Sequence, residues 1–113
     1  PLAAGYLTGK YRNNKIPKNS RMDLFYENYP RYHNQRTYDA VDEYFKIAQK
    51  NNMSLTQLSQ AFVNSRDFVT SNIIGATTMK QLKENIGSIN ISLNQKIIEE
   101  INLIHENIPN PAP

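Results

Sequence analysis

The stretch Asn72-Ile73-Ile74-Gly75-Ala76-Thr77-Thr78-Met79-Lys80-Gln81-Leu82-Lys83-Glu84-Asn85-Ile86 decides how the rest of the chain is read. Asn72-Ile73-Ile74 suits a short buried strand, Gly75 supplies a turn, and a helical period follows from Met79. In that order the first backbone N–H groups of the helix lack intrahelical partners, and the positive end of its dipole faces the same point. The segment is therefore built to receive an anion.

Helical patterning continues on both sides. Downstream, a helix from Met79 to Ser88 sets Leu82, Ile86 and Ile89 in register. Asn94 caps a further helix that buries Ile97, Ile98, Ile101 and Ile104, until Pro109 and Pro111 stop it. The tail Pro109-Asn110-Pro111-Ala112-Pro113 is expected to be irregular. Upstream, a helix starting near Tyr38 places Val41, Tyr44, Phe45 and Ala48 on one face and ends at Asn51-Asn52. Ser54 caps the next, which presents Leu55, Leu58 and Phe62. Residues 12–36, with Pro17, Pro30, several Asn and four Arg, show no period and read as a long surface loop of the length typical of functional lids or disordered segments. Residues 1–11 hold Gly5 and Gly9 in an apolar setting and read as a loop leaving a strand.

The order is thus loop, helix, helix, strand, helix, helix. A lone strand has no backbone partner within this chain. The pattern predicts an α/β fold whose sheet is completed by other sequence, the chain itself being mostly α-helical with one short strand.

At 113 residues, 39% hydrophobic, the chain suits one small domain with a modest core. It has no cysteine, which excludes a disulfide scaffold and thiolate metal sites and fits a cytoplasmic protein. No apolar run approaches the ~20 residues that span a bilayer, and no signal peptide is visible. The net charge of +3 is mild. The start at Pro1 reads as processing or as a piece of a longer protein. His33 and His105 have no metal-spaced partners, and His105 reads as a packing or surface residue.

Two motifs carry a resemblance. Pro1-Leu2-Ala3-Ala4-Gly5-Tyr6-Leu7-Thr8-Gly9-Lys10-Tyr11 resembles the loop after the seventh barrel strand of the aldo-keto reductases, and the opening segment resembles their eighth strand and its helix. The branch it looks like includes bacterial Tas-type reductases and the beta subunits of voltage-gated potassium channels. The resemblance covers essentially the whole chain. It implies the C-terminal third of a (β/α)8 TIM barrel that reduces aldehydes or ketones with NADPH, NAD being possible. The family's catalytic Asp, Tyr, Lys and His belong to a region outside these residues, so the resemblance implies cofactor contacts here and no catalytic group.

On that resemblance, Pro1, Leu2 and Ala3 lie against the cofactor, Gly5 and Gly9 let the backbone approach the pyrophosphate, and Lys10 and Arg21 reach phosphates. The Lys10–Arg21 spacing is one residue longer than in the channel-subunit branch. Beyond the Gly75 turn, Thr77 meets the adenosine phosphate, Gln81 the adenine and ribose, and Glu84 and Asn85 the adenine amino edge. Thr78-Met79-Lys80-Gln81 is also a capping box, which accounts for both polar residues without a ligand. Many relatives carry Lys or Arg at the strand end and at the position of Gln81. Here both positions are neutral, so NADP preference rests on family habit.

Two other readings stand beside this one. Arg21 to Arg36 mixes arginines with Phe25, Tyr26, Tyr29 and Tyr32, as single-stranded nucleic-acid binders do, but Asp23 and Glu27 interrupt it and no basic stripe follows, so no nucleic-acid or membrane partner is expected. A cofactor-sensing regulatory subunit shares the same site residues with an enzyme. Helices taken from a barrel also expose their packing faces, so the chain is expected to self-associate through them or to occur with the rest of its barrel.

Overall fold

The computed structural model describes all 113 residues. Its helices are α1 (Arg21–Phe25), α2 (Gln35–Lys50), α3 (Leu55–Asn64), α4 (Met79–Gly87) and α5 (Gln95–Asn107). Short 3-10 turns at Ala3–Thr8, Arg12–Asn14, Tyr26–Asn28, Pro30–Tyr32 and Ser88–Asn90 fill much of the remainder.

Local cap chemistry sets the helix starts. The side chain of Asn34 accepts from Thr37 N–H at α2, and that of Asn94 from Ile97 N–H at α5, both at 3.0 Å. At α3 the capping box is complete: Gln57 N–H donates to Ser54 Oγ at 3.0 Å and Ser54 N–H donates to Gln57 Oε1 at 2.8 Å. Helix α2 buries Val41, Ile47 and Ala48 at helical spacing, α3 buries Leu55 and Leu58, and α5 buries Ile97 and Ile101. The face of α2 packs on both others, and the three share one core with Tyr6, Tyr11 and Met22 from the N-terminal loops. Helix α4 and the turn Ser88–Asn90 pack mainly on α3.

Three expectations need correction. Asn72-Ile73-Ile74 is not a strand. It is extended coil with Ile73 83% exposed, because no second strand lies within reach to pair its backbone. Residues 12–36 are not featureless: Ser20 caps the single turn of α1, and Pro30 opens another turn, so local capping orders a region that has no hydrophobic period. On α4 the expected apolar stripe faces outward, with Ile86 and Ile89 exposed and Leu82 half-buried. Asn85 and Ser88 are buried instead, and Asn85 meets the amide that α3 presents at Gln60.

The tail 109–113 is irregular, as expected, yet tethered. Arg36 donates to the Pro109 carbonyl at 2.7 Å, Thr37 Oγ1 to the Pro111 carbonyl at 2.8 Å, and Arg31 to the Ala112 carbonyl at 2.9 Å through Nε. The chain exposes 7504 Å², whereas a compact monomer of 13.0 kDa exposes about 6,300 Å². Phe68, Ile73, Met79, Ile86 and Ile89 belong to that excess and lie within one run of sequence. No helix is long and apolar enough to cross a membrane.

Candidate functional site

The N-terminal loop is a tight, partly left-handed turn. The backbone runs through φ 47° at Ala3, 54° at Ala4, 99° at Gly5 and 77° at Gly9. Two consecutive alanines in that region cost about 1–2 kcal/mol each, so the surroundings must hold them there. Leu2 O accepts from Gly5 N–H at 2.9 Å and Leu7 N–H at 3.2 Å, and Thr8 Oγ1 donates to Gly5 O at 2.7 Å. Tyr6 drives the loop into the core. It is 2% exposed, stacks on Tyr32 with ring centroids 5.2 Å apart, and meets Tyr11 at 5.0 Å. Burial, with Tyr38 close by, pushes the Tyr6 phenol well above its ordinary value.

Glycine at position 5 is favoured by its backbone, and its missing Cβ makes room for Lys10. Its φ is left-handed, and a Cβ there would stand 3.1 Å from Lys10 Cε and 3.2 Å from Lys10 Nζ. The Lys10 chain thus lies folded across Gly5, with Nζ 5.0 Å from the Tyr11 ring and no carboxylate partner. Pro1 and Leu7 border an apolar groove of about 380 Å³ shared with Tyr44, Leu58, Phe62 and Ile101.

Arg21 opens α1, exposed, its guanidinium 5.7 Å from the Tyr29 ring and without a carboxylate partner. The next residue, Met22, is buried and its N–H donates to the Tyr11 hydroxyl at 3.3 Å. That bond sets Lys10 and Arg21 each one residue from the same junction. Between them the turn Arg12–Asn14 runs left-handed, with φ 56° at Asn13 and Asn14.

The second group sits at α4. Thr78 Oγ1 accepts from Gln81 N–H at 3.2 Å, while Gln81 Oε1 reaches back past the cap to Thr77, whose N–H and hydroxyl lie at 2.9 and 3.0 Å. The amides of Met79 and Lys80 stay open at the positive end of the helix. Asn85, 5% exposed, donates to the Gly75 carbonyl at 3.0 Å, and Glu84 accepts from the Ser54 hydroxyl at 2.5 Å. Gln81, Glu84 and Asn85 therefore each hold a different part of the chain. No hydrogen bond or ion pair joins this group to the Pro1–Arg21 group, although both pack on α3.

Sequence reasoning missed a set of amides behind the turn. Gln60 is 0% exposed, its Nε2 donates to Asn85 Oδ1 at 3.3 Å and its Oε1 accepts from Asn72 Nδ2 at 2.8 Å. Asn72 Nδ2 also donates to Asn64 Oδ1 at 2.9 Å. The available signal was a polar stripe on α3, Thr56, Gln60 and Asn64, at a spacing of four. The aromatic residues of 21–36 are engaged as well: Tyr32 stacks on Tyr6, and His33 stacks on Tyr26 at 3.6 Å with its Nε2 buried and unpartnered. No group of His, Asp or Glu is placed to hold a metal.

The glycine loop that Lys10 folds over and the capped start of α4 belong to elements that both pack on α3. The chain belongs to the aldo/keto reductase family, whose model matches residues 1–106. Protein tas of Escherichia coli strain K12 is 40% identical over 112 residues, 99% of this chain and 32% of that protein. A probable voltage-gated potassium channel subunit beta of Oryza sativa subsp. japonica is 35% identical over 115 residues, 96% of this chain and 34% of that protein. L-glyceraldehyde 3-phosphate reductase of Escherichia coli strain K12 is 34% identical over 94 residues, 80% of this chain and 27% of that protein. The chain spans about a third of the length of these relatives.

Proposed function

We propose that this chain is the C-terminal part of a (β/α)8 reductase barrel and supplies its nicotinamide-cofactor contacts, the catalytic residues lying in the rest of that barrel. The reaction is reduction of an aldehyde or ketone by NAD(P)H in the cytoplasm, with NADP the expected cofactor. The observation that carries this reading is the Lys10 ammonium folded over the Gly5 loop with no carboxylate to neutralise it. A buried tyrosine pair fixes that loop in place. Such an unpaired cation suits a pyrophosphate.

Pro1, Leu2 and Ala3 would flank the cofactor, Lys10 and Arg21 its phosphates, and Gly75, Thr77, Gln81, Glu84 and Asn85 its adenosine. When bound, the cofactor supplies the hydride. This chain's own residues bind and orient it. The test is saturable quenching or enhancement of NADPH fluorescence by the 113-residue chain, weakened in Lys10→Ala and further in Lys10→Ala with Arg21→Ala. Absence of saturable binding, or binding indifferent to both substitutions, overturns the reading. The chain alone is expected to turn over no aldehyde, which an NADPH-oxidation assay checks.

The similarity to a potassium channel beta subunit supports a second reading, a cofactor-sensing subunit with the same contacts. Co-purification with a membrane channel would favour it. NADPH-dependent turnover by the completed barrel would favour the enzyme.

A further inference from the structure

Lys10 stands in a turn whose two ends rest on one helix. Gly9 O accepts from Arg12 N–H at 3.2 Å, and Tyr11 takes φ -96° and ψ 2°, the third position of a type I turn. The Arg12 guanidinium lies over the Phe45 ring of α2, 3.6 Å from its centroid, and Nε donates to Asp42 Oδ1 at 2.5 Å. Asp42 and Phe45 stand at helical spacing, so α2 presents them together. At the other end of the turn Gly9 lies against the same pair. A Cβ there would stand 3.5 Å from Phe45 Cδ2 and 3.6 Å from Arg12 Cδ.

An arginine so near Lys10 invites reading as a further phosphate ligand. Its surroundings point elsewhere. Its Nε is bonded to a carboxylate, its plane lies on an aromatic face, and its side chain is 23% exposed. Of the chain's arginines it alone has a carboxylate partner. A charge neutralised in this way attracts an anion weakly. A planar guanidinium fixed by a carboxylate and a ring is well suited to hold a backbone in place. The turn's remaining residue, Tyr11, is buried, and its hydroxyl accepts from Met22 N–H. The turn is thus gripped at Tyr11 and at Arg12, and from it Lys10 folds back over Gly5 with no carboxylate of its own.

We propose that Arg12 is a positioning residue for Lys10. By tying the Gly9–Arg12 turn to Asp42 and Phe45 it sets where the Lys10 ammonium stands, and it does not itself bind phosphate. Helix α2 then takes part in the cofactor site without touching the cofactor. The functional meaning rests on reading Lys10 as a pyrophosphate contact. The positional claim stands on the contacts alone.

The test is NADPH titration of the completed barrel, read by fluorescence, for wild type, Lys10→Ala, Arg12→Ala, Asp42→Ala and the double variant Lys10→Ala with Arg12→Ala. Affinity is expected to fall about three- to tenfold in Arg12→Ala and in Asp42→Ala, the range open to one exposed ion pair and one cation–π contact. In the Lys10→Ala background Arg12→Ala should change nothing further, because both act through one ammonium. Arg12→Lys keeps the charge but not the plane, so it should not restore wild-type affinity. If Arg12 bound phosphate itself, Asp42→Ala would release it and tighten binding. That result, unchanged affinity in Arg12→Ala, full rescue by Arg12→Lys, or additive losses with Lys10→Ala overturns the proposal. If Arg12→Ala does not fold, Asp42→Ala decides by the sign of its effect. If Lys10→Ala leaves affinity unchanged, the pyrophosphate reading fails instead. Hydrogen exchange then decides the positional claim: the Arg12 amide should exchange faster in Asp42→Ala, and unchanged exchange overturns it.

Discussion

The two halves of the candidate site are held by opposite means. The loop 1–11 is pinned by buried aromatic rings, with Tyr6 and Tyr11 inside the core and a strained backbone kept in place by their packing. The segment 70–77 buries little, exposes Ile73, and depends on side-chain amides. Apolar burial is shared with the whole core, so the first half opens only when the molecule does. A few directional bonds to α3 and α4 can fail locally, so the second half is expected to open before the first.

The most severe way to break this contrast is Tyr6→Ala. Removal of a buried ring is expected to cost about 3–5 kcal/mol, and urea unfolding followed by circular dichroism should show loss of the whole fold rather than of the loop. A gentler probe of the same region is alkali. The folded-state pKa of Tyr6 lies above the ordinary 10.0 because burial disfavours the phenolate, and burial raises that of Tyr44 too. Protons are therefore held more tightly by the folded chain. Stability is fully present below pH 10 and declines as pH rises above it. Tyr6→Phe should flatten that decline in a pH series of melting temperatures.

Gly5→Ala asks whether the loop can absorb strain. A left-handed alanine with its Cβ against Lys10 should lose about 1–3 kcal/mol, read as a lowered melting temperature together with weaker NADPH binding. Smallest is Thr78→Ala. It removes one helix cap worth about 1 kcal/mol and should increase exchange in α4 while α2 and α5 stay as they were. A global loss from Thr78→Ala would erase the distinction between the two halves.

What was legible in the sequence follows the same division. Ser54, Thr78 and Asn94 declared their caps because capping is settled within four residues. The faces of α2, α3 and α5 were readable because their apolar positions recur at one period and meet one another. Periodicity says that a face is apolar, not what covers it, which is why Ile86 and Ile89 misled on α4. Asn72-Ile73-Ile74 has a strand's composition, but strand formation is a property of a pair, and no partner exists in these residues. The two glycine-bearing motifs could be picked out as candidate contacts. The amides behind one of them could not, since a polar stripe on a helix gives no hint of which asparagine it will meet.

The tail offers a last contrast between what is written in side chains and what is not. Arg36, Thr37 and Arg31 all bind it through main-chain carbonyls, at Pro109, Pro111 and Ala112. Every residue type has that oxygen, and proline forfeits only an N–H that these contacts never use. Residue identity in 109–113 is therefore nearly free to drift, whereas inserting or deleting a single position would shift each carbonyl off its donor. For this strap, spelling is negotiable and length is not.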